Sequence, residues 1–262
     1  MIVDVHCHLN DKRYQNIEEV IERARDAGVS VIINSGVDHI SNSETLALQK
    51  RYPLVKASLG IYPLDAVGLG WHDDVQKREG KIDVPKELEF IEQHKDEIIA
   101  IGEVGLDASP EGECRLEDQK KVFRKTIELA QKIKKPLIVH TRKAEKDCID
   151  ILEEMQAKKV VLHCFTGNLK LVDRAAKLGF YLSIPAIIQR LHHFQEVVKK
   201  VPITQLLTET DGPYLSPVKG ELSESRDIVG TLQKIAEIKK MSFEETRNNI
   251  FANYQKLFLV QH

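Results

Sequence analysis

The sequence predicts an α/β protein built as a single (β/α)8 barrel. Eight short apolar runs rich in β-branched residues recur along the chain, and amphipathic segments with helix-start and helix-stop signals separate them. The length of 262 residues fits one barrel of this class, and no Pro/Gly/Ser-rich linker, low-complexity tract or short repeat interrupts the series. We therefore expect residues 1–262 to form one domain around a parallel sheet.

The eight apolar runs are the predicted strands. They are Ile2–His8, Val29–Asn34, Leu54–Leu59, Ile98–Ile101, Leu137–His140, Val160–His163, Phe180–Ile184 and Gln205–Thr208. In the first of these, alternate side chains point to the same side of the sheet, so His6 and His8 face one way and Cys7 faces the other.

Helices are predicted between the strands. Asn16 and Glu19 form a capping-box pattern at the start of Ile17–Ala27, where apolar residues recur at helical spacing until Gly28. Similar signals place helices near Ser43–Arg51, Pro85–His94, Leu116–Lys132, Lys143–Gln156, Leu169–Leu178, His192–Lys200 and Asp227–Lys239, and after Ser242. The longest irregular stretch, Tyr62–Val84, is interpreted as an insertion in a loop over the top of the barrel.

Composition narrows the class of protein but does not identify a substrate. Apolar residues make up 42% and charged residues 30% of the chain, and no run is long and apolar enough for a membrane span. The formal net charge of −2 excludes a globally basic nucleic-acid surface but leaves room for a local phosphate site. Without a visible targeting segment, and with four scattered cysteines, the expected location is the cytoplasm.

Polar residues cluster where the predicted strands end. Because active sites of (β/α)8 barrels form at the C-terminal ends of the strands, these residues are candidates for chemistry. They are His6, His8, His140 and His163, together with two or more of the acids Glu103, Asp107, Glu209 and Asp211. One strand-end histidine is commonly a hydrogen-bonded core residue, but four, with acids at two further strand ends, indicate a metal centre.

The number of candidate ligands predicts two divalent metal ions. Six ligands exceed what one catalytic zinc takes from a protein, whereas a two-metal hydrolytic site needs about this many. Histidine and carboxylate ligands suit Mn²⁺ or Zn²⁺, and Mg²⁺ fits where carboxylates and water dominate. Such a pair of ions activates water and stabilises the attacking and leaving oxygens of a displacement.

Five motifs, in order along almost the whole chain, resemble the TatD-like metal-dependent deoxyribonucleases of the amidohydrolase superfamily. They are Val5-His6-Cys7-His8-Leu9, Ile101-Gly102-Glu103-Val104-Gly105-Leu106-Asp107, Pro136-Leu137-Ile138-Val139-His140-Thr141-Arg142, His163-Cys164-Phe165-Thr166-Gly167 and Glu209-Thr210-Asp211-Gly212-Pro213-Tyr214-Leu215. Each motif alone is modest, but the five in sequence are specific.

The resemblance implies a role for each candidate ligand. One metal is held by His6, His8, Glu103 and Asp211; Glu103 bridges to a second metal, and His140 and His163 complete that second site. Asp211 also serves as general base. The family cleaves DNA phosphodiester bonds, often from 3′ ends, with Mg²⁺ or Mn²⁺. The expectation is therefore an exonuclease on single-stranded DNA or 3′ ends, monomeric and without an obligate protein partner.

Candidate substrate contacts lie beside these ligands. The family commonly has a histidine where this chain has Tyr62, and the segment 218–227 also departs from the family pattern, leaving Lys219 and Arg226 as candidates to reach a phosphate. Arg142 is a candidate phosphate clamp, with a helix cap or a pair with Glu145 as the rival interpretation.

For several further residues, a structural role explains the sequence at least as well as a functional role does. Asp107 is interpreted as an acid that orients a ligand or fixes a loop, because the preceding Gly-Leu carries it past the strand end. Tyr62, Trp71 and Tyr214 are candidates to stack a base, although aromatic residues in long loops usually pack the loop.

Two other functions remain open from the sequence. One is a binuclear amidohydrolase relative acting on a small ester or amide; Glu103 argues against it, because many such enzymes bridge their metals with a modified lysine at the fourth strand. The other is a metal-loaded barrel that binds nucleic acid without catalysis, which only the altered loops support.

Overall fold

The computed structural model describes residues 1–70 and 82–260, and its sheet has eight strands that pair in parallel in sequence order. The strands are Ile2–Cys7 (β1), Val29–Ser35 (β2), Val55–Leu59 (β3), Ala100–Asp107 (β4), Leu137–Arg142 (β5), Val160–Leu162 (β6), Tyr181–Pro185 (β7) and Leu206–Glu209 (β8). The predicted (β/α)8 barrel is confirmed.

Helices connect the strands and cover the outside of the barrel. They are Ile17–Asp26 (α1), His39–Arg51 (α2), Pro63–Ala66 (α3), Val84–Gln93 (α4), Leu116–Ile133 (α5), Glu145–Glu154 (α6), Leu169–Lys177 (α7), His192–Lys200 (α8), Ile228–Lys239 (α9) and Phe243–Tyr254 (α10). Asn16 caps α1 as predicted, since its side chain accepts from the backbone N–H groups of Glu18 and Glu19. Within the described residues, no helix has the length and apolar character needed to cross a bilayer.

Hydrogen bonds at the seam between β1 and β8 close the barrel. The Asp211 N–H donates to the His6 carbonyl at 3.0 Å, and the His8 N–H donates to the Gly212 carbonyl at 2.7 Å. Below them the Thr208 hydroxyl donates to the carbonyl of Val3 at 2.6 Å. The first and last strands therefore meet where three candidate ligands lie.

Strand β4 is longer than its apolar run predicted. The predicted strand Ile98–Ile101 stops before Gly102, whereas the observed strand begins at Ala100 and continues to Asp107. Gly105 has a φ of 139°, and a Cβ there would collide with the carbonyl oxygen of His140, so only glycine allows β4 to pack this closely against β5. Asp107 therefore lies on the strand. The prediction that the preceding Gly-Leu carries it past the strand end is wrong.

Two helices differ from their predicted bounds for local reasons. Helix α2 begins at His39 and not at Ser43, because Asp38 and Ser41 form a reciprocal capping box. Helix α6 is shorter than Lys143–Gln156, since Lys143 and Gln156 both adopt a φ of 54°, outside the helical region.

The described ends of the predicted insertion Tyr62–Val84 form helices. Pro63 opens the four-residue helix α3, and Val84 already belongs to α4, which Asp83 caps. Trp71, the candidate for base stacking, lies outside the described residues.

Candidate metal centre

The six predicted ligands converge at the C-terminal ends of the strands. His6 is on β1 and His8 directly follows it, Glu103 is on β4 and His140 is on β5. His163 directly follows β6, and Asp211 lies two residues after the end of β8. A cavity of about 630 Å³ opens above them, and His8, Glu103, His140, His163 and Asp211 line it. His6 is fully buried beneath. The structure thus brings together residues up to 205 positions apart in the sequence.

Glu103 divides its two carboxylate oxygens between two sets of histidines. Its Oε1 lies 2.7 Å from His140 Nδ1 and 3.0 Å from His163 Nε2. Its Oε2 lies 3.4 Å from His8 Nε2 and 3.7 Å from His6 Nε2. One side chain therefore faces both sets.

Asp211 completes the set that contains His6 and His8. Its Oδ1 is 3.3 Å from His6 Nε2 and 3.6 Å from His8 Nε2. Among the described residues, three overlapping groups have donor atoms within 4.8 Å of one another, the compactness that a bound metal ion requires. The groups are His6, His8 and Glu103; His6, His163 and Asp211; and Glu103, His140 and His163.

One residue on β2 orients both histidines of β1. The hydroxyl of Ser35 is 3.0 Å from His6 Nδ1, and the carbonyl oxygen of Ser35 is 3.0 Å from His8 Nδ1. A carbonyl only accepts, so His8 Nδ1 carries the proton and Nε2 points to the centre. Fixing the outer ring nitrogen in this way sets the orientation of a metal-binding histidine.

Buried carboxylates lie behind the other two histidines. Asp107 Oδ2 is 3.4 Å from His140 Nε2 and accepts a hydrogen bond from the Tyr62 hydroxyl at 2.9 Å. Glu209 Oε2 is 3.9 Å from His163 Nδ1. All four histidines therefore direct one ring nitrogen to the centre and the other to an oxygen atom.

The carboxylates and histidines shift each other's pKa. Burial alone would lower the pKa of His8, but hydrogen bonds to Asp211 and Glu103 raise it to about 10. Likewise, burial is outweighed at His140, where Asp107 and Glu103 raise the pKa to about 9.

The pKa values of three other candidate ligands are lowered instead of raised. Burial, together with the charge of His163, lowers the pKa of His6 to about 4, so its ring is neutral at pH 7. Burial would raise the pKa of Glu103 and of Asp211, but the neighbouring histidines hold both below the usual range. Two ionised carboxylates and a neutral imidazole thus face the same point.

These residues fit a divalent metal ion. His6 Nε2 is buried and has no hydrogen-bond partner among the described residues, although two carboxylates face it. An orphaned ring nitrogen beside buried carboxylate oxygens is costly unless a cation binds between them. Nitrogen and oxygen donors in this number suit Mn²⁺ and Zn²⁺, and Mg²⁺ with added water.

Metal affinity is expected to fall as the pH falls. His8 and His140 hold protons below about pH 10 and pH 9, and a metal ion must displace them. Each displaced proton should weaken the apparent affinity by up to about tenfold per pH unit. Calorimetric titration with Mn²⁺ between about pH 6 and pH 8, in buffers of different ionisation enthalpy, measures both affinity and proton release.

A control variant separates the competition between protons and metal ions for these histidines from general effects of pH. His192 is exposed on α8, with 75% of its side chain accessible, so His192→Gln should show the parent slope. A parent affinity that does not change with pH would contradict the assignment of these histidines as ligands.

The candidate substrate contacts lie in different places. Tyr62 and Arg142 line the cavity, and the Arg142 side chain is 56% exposed at the end of β5. Its Nη1 lies 4.0 Å from Asp107 Oδ2, whereas Glu145, the rival partner, accepts a hydrogen bond from Thr166. Lys219 and Arg226 do not line the cavity, and Arg226 lies 3.3 Å from Glu224.

The loop after β8 is held to the loop after β1. Arg13 Nη1 donates to the Tyr214 hydroxyl at 2.9 Å and to Asp11 at 2.8 Å, and the guanidinium lies 4.8 Å from the centre of the tyrosine ring. Tyr214, a candidate for base stacking, thus lines the cavity with its hydroxyl end already bound to protein groups.

Sequence reasoning missed Asp4 and Ser35, which lie beside the candidate ligands, and it placed Glu209 at a strand end without giving it a role. Asp4 is fully buried and accepts hydrogen bonds from Thr210 N–H and hydroxyl and from the Ser225 hydroxyl. The available signal was an acid inside an apolar strand two positions before a ligand, which places Asp4 on the His6 face of β1. The same spacing relates Glu209 to Asp211.

Comparison with known proteins identifies relatives over the full chain. The sequence profile of the family described as TatD related DNase matches residues 3–259. An uncharacterized metal-dependent hydrolase of Methanocaldococcus jannaschii is 34% identical over 98% of this chain and 96% of its own length. The human deoxyribonuclease TATDN3 is also 34% identical, over 98% of this chain and 94% of its own length.

Solved structures agree with the fold. The Escherichia coli K12 protein YJJV, described as a TATD homolog, is 25% identical and superposes with a TM-score of 0.85 over 99% of this chain and 98% of its own. A TatD family hydrolase of Entamoeba histolytica, 20% identical, superposes with a TM-score of 0.82 over 98% of this chain and 97% of its own.

Proposed function

Because the chain belongs to the TatD-related DNase family, we propose that it is a divalent-metal-dependent deoxyribonuclease that hydrolyses DNA phosphodiester bonds as an exonuclease. The proposal takes single-stranded DNA or a 3′ end as substrate, the cytoplasm as location, and one domain working as a monomer. The human relative's description as a deoxyribonuclease supports the choice of bond.

The observation that carries the proposal is the divided carboxylate of Glu103. We propose that Glu103 would hold one ion together with His6, His8 and Asp211, and a second together with His140 and His163. Bound divalent ions supply polarisation of the phosphodiester and a lower pKa for water. The ions proposed are Mg²⁺ or Mn²⁺, with Zn²⁺ as an alternative.

Asp211 is proposed as the general base. Its carboxylate lines the cavity and is ionised at neutral pH, since His6 and His8 lower its pKa despite burial. It is therefore in the unprotonated form that a base must have, and from the cavity wall it can accept the proton of a water molecule that attacks phosphorus. The pKa of Glu103 is also held well below its usual value by the histidines, but Glu103 lies between them and is proposed to hold cations.

Arg142 is proposed to position the phosphate. Its exposed guanidinium stands at the cavity edge, and this planar group donates two parallel hydrogen bonds to phosphate oxygens. Holding the phosphate in line with the attacking water supplies much of the rate enhancement in phosphoryl transfer, where the protein does little covalent chemistry. Tyr62, Lys219 and Arg226 stay weaker candidates, the last two because they are outside the cavity.

The test is degradation of DNA by the protein loaded with Mg²⁺ or Mn²⁺. A linear single strand carrying a label at its 5′ end should shorten progressively from its 3′ end, and a circular single strand of the same sequence should remain intact. Chelator should abolish the reaction, and added Mn²⁺ should restore it.

Three outcomes would count against the proposal. Cleavage of the circular strand, which has no free end, would show that the protein is a nuclease but not an exonuclease. Turnover of small esters or cyclic amides with intact DNA would move the function to another hydrolase of the superfamily. Tight DNA binding without cleavage at full metal occupancy would indicate a binding protein.

A further inference from the structure

The cavity above the candidate metal centre has two chemically different walls. Arg142, at the end of β5, lines one of them. The segments that follow β1 and β2 lie across the barrel from β5 and β6, because the eight strands pair in sequence order and close between β1 and β8. These segments form the opposite wall, the α2 wall, whose lining residues are Asn10, Lys12, Asp38, Ile40 and Glu44.

The charge of the α2 wall disfavours a second phosphate there. Asp38 and Glu44 are carboxylates that pair with no cation within the described residues, and Lys12 brings one ammonium group. Asp11 also lines the cavity, but Arg13 pairs with it at 2.8 Å. Two carboxylates against one ammonium leave the wall negative, so it repels a phosphate. The uncharged part of a nucleotide, its base, fits this wall better.

Ile40 gives the α2 wall an apolar surface. It is 69% exposed and lines the cavity. The first turn of α2, which carries it, is ordered by the capping box between Asp38 and Ser41, in which the Asp38 side chain accepts from the Ser41 N–H at 2.8 Å. The isoleucine is therefore held at the cavity without being covered by protein. The face of a base would cover it and gain the free energy of burying apolar surface.

Glu44 stands one helical turn after Ile40, and side-chain amides orient its carboxylate. Residues four apart on a helix are neighbours on its surface, so the two side chains lie side by side. The Asn10 amide donates to Glu44 Oε2 at 3.1 Å, and the Asn10 oxygen in turn accepts from the Asn34 amide at 3.3 Å. Asn34 is fully buried and also donates to the Thr45 hydroxyl at 2.7 Å. The buried amide thus fixes Asn10, and Asn10 fixes Glu44.

We propose that the α2 wall is a nucleobase subsite, in which Ile40 contacts the face of a base and the Glu44 carboxylate accepts hydrogen bonds from its edge. A carboxylate only accepts, so it selects a base edge that offers donors. Guanine presents two N–H groups side by side on its Watson–Crick edge, and the other three bases of DNA have no such pair. That edge is free in a single strand. The preferred base is therefore guanine.

This inference rests on the proposed DNA substrate and adds a determinant of base preference. It concerns binding, so the four deoxynucleoside 5′-monophosphates (dGMP, dAMP, dCMP and dTMP) are sufficient probes and no bond has to be cleaved. Calorimetric titration of the Mn²⁺-loaded protein should give an affinity for dGMP that exceeds the other three by about tenfold or more.

The deciding variant is Glu44→Gln, which preserves size and replaces the carboxylate with one acceptor and one donor group. This edge complements adenine and cytosine, each of which presents an amino donor beside a ring-nitrogen acceptor. The preference for dGMP should be lost, and dAMP or dCMP should bind at least as tightly as dGMP. Glu44 is exposed, so the variant should fold.

Two further variants separate recognition of the base edge from other effects. Ile40→Ser removes the apolar contact, so all four nucleotides should bind about threefold to tenfold more weakly while their order stays the same. Glu18→Gln is the control for loss of a negative charge, since Glu18 is an exposed glutamate that pairs with Arg51 and does not line the cavity. That control should keep the parent affinities.

The outcomes separate this inference from the proposed nuclease. Parent protein that prefers dGMP but leaves DNA intact would overturn the nuclease and support the subsite. Equal affinities for the four nucleotides, or no binding of any, would overturn the subsite even if DNA is degraded. A preference for dGMP that survives in Glu44→Gln would overturn the role of Glu44, and parent affinities in Ile40→Ser would overturn the contact with the base face.

Discussion

Replacing Glu103 with alanine is expected to lower the rate of metal-dependent DNA hydrolysis by about 10³-fold. Both oxygens are lost at once, and each faces a different pair of histidines. Metal content should fall for the same reason, since four histidines and Asp211 would have no shared carboxylate. Initial rates on end-labelled single-stranded DNA, together with metal analysis of protein purified without chelator, measure both effects.

A second substitution at the same position controls for packing. Glu103 is 4% exposed, so alanine also leaves a cavity. Glu103→Gln keeps the volume and removes the charge, and it should lose activity and metal to a similar degree while unfolding at a temperature close to that of the parent. Equal rates in parent and both variants would falsify the bridging role.

Replacing Asp211 with asparagine is expected to lower kcat by about 10²- to 10⁴-fold, the range that general acid–base catalysis contributes. The KM for DNA should change little, because the proposed phosphate contact Arg142 is untouched. Some metal binding should remain through His6, His8 and Glu103, which still form a compact group. Rates measured at saturating Mn²⁺ separate loss of the base from loss of the ion.

Asp11→Asn is the control for Asp211→Asn. Asp11 is a buried carboxylate that also lines the cavity, but it pairs with Arg13 at 2.8 Å. Its substitution should reduce hydrolysis far less than that of Asp211. If Asp211→Asn matched the parent rate at the same metal occupancy, the base would have to be another group.

Local rules were enough to predict the barrel and to select the candidate ligands. The two-residue period of β1 places His6 and His8 on one face, and the rule that barrel sites form at strand ends adds Glu103, His140 and the others. These inferences need only the order of strands, because parallel strands bring their C-terminal ends to one side. Which candidate ligands would share an ion is proposed only from the resemblance and from the distances to Glu103.

Features that depend on contacts between residues distant in the sequence could not be predicted. Glu209 faces His163 because β6, β7 and β8 pack side by side, and nothing in its own neighbourhood in the sequence states this. The length of β4 depends on the close contact of Gly105 with β5, which an apolar pattern cannot register. The placement of Lys219 and Arg226 outside the cavity depends on a loop whose path has no periodic signal.

The double contact of Ser35 makes the two histidines of β1 unequal in their tolerance of mutation. His6 is held by the Ser35 hydroxyl, which many substitutions would remove. His8 is held by the Ser35 carbonyl, which belongs to the main chain and remains whatever side chain stands there. A substitution at position 35 can therefore remove the hydrogen bond that orients His6 while keeping the one that orients His8.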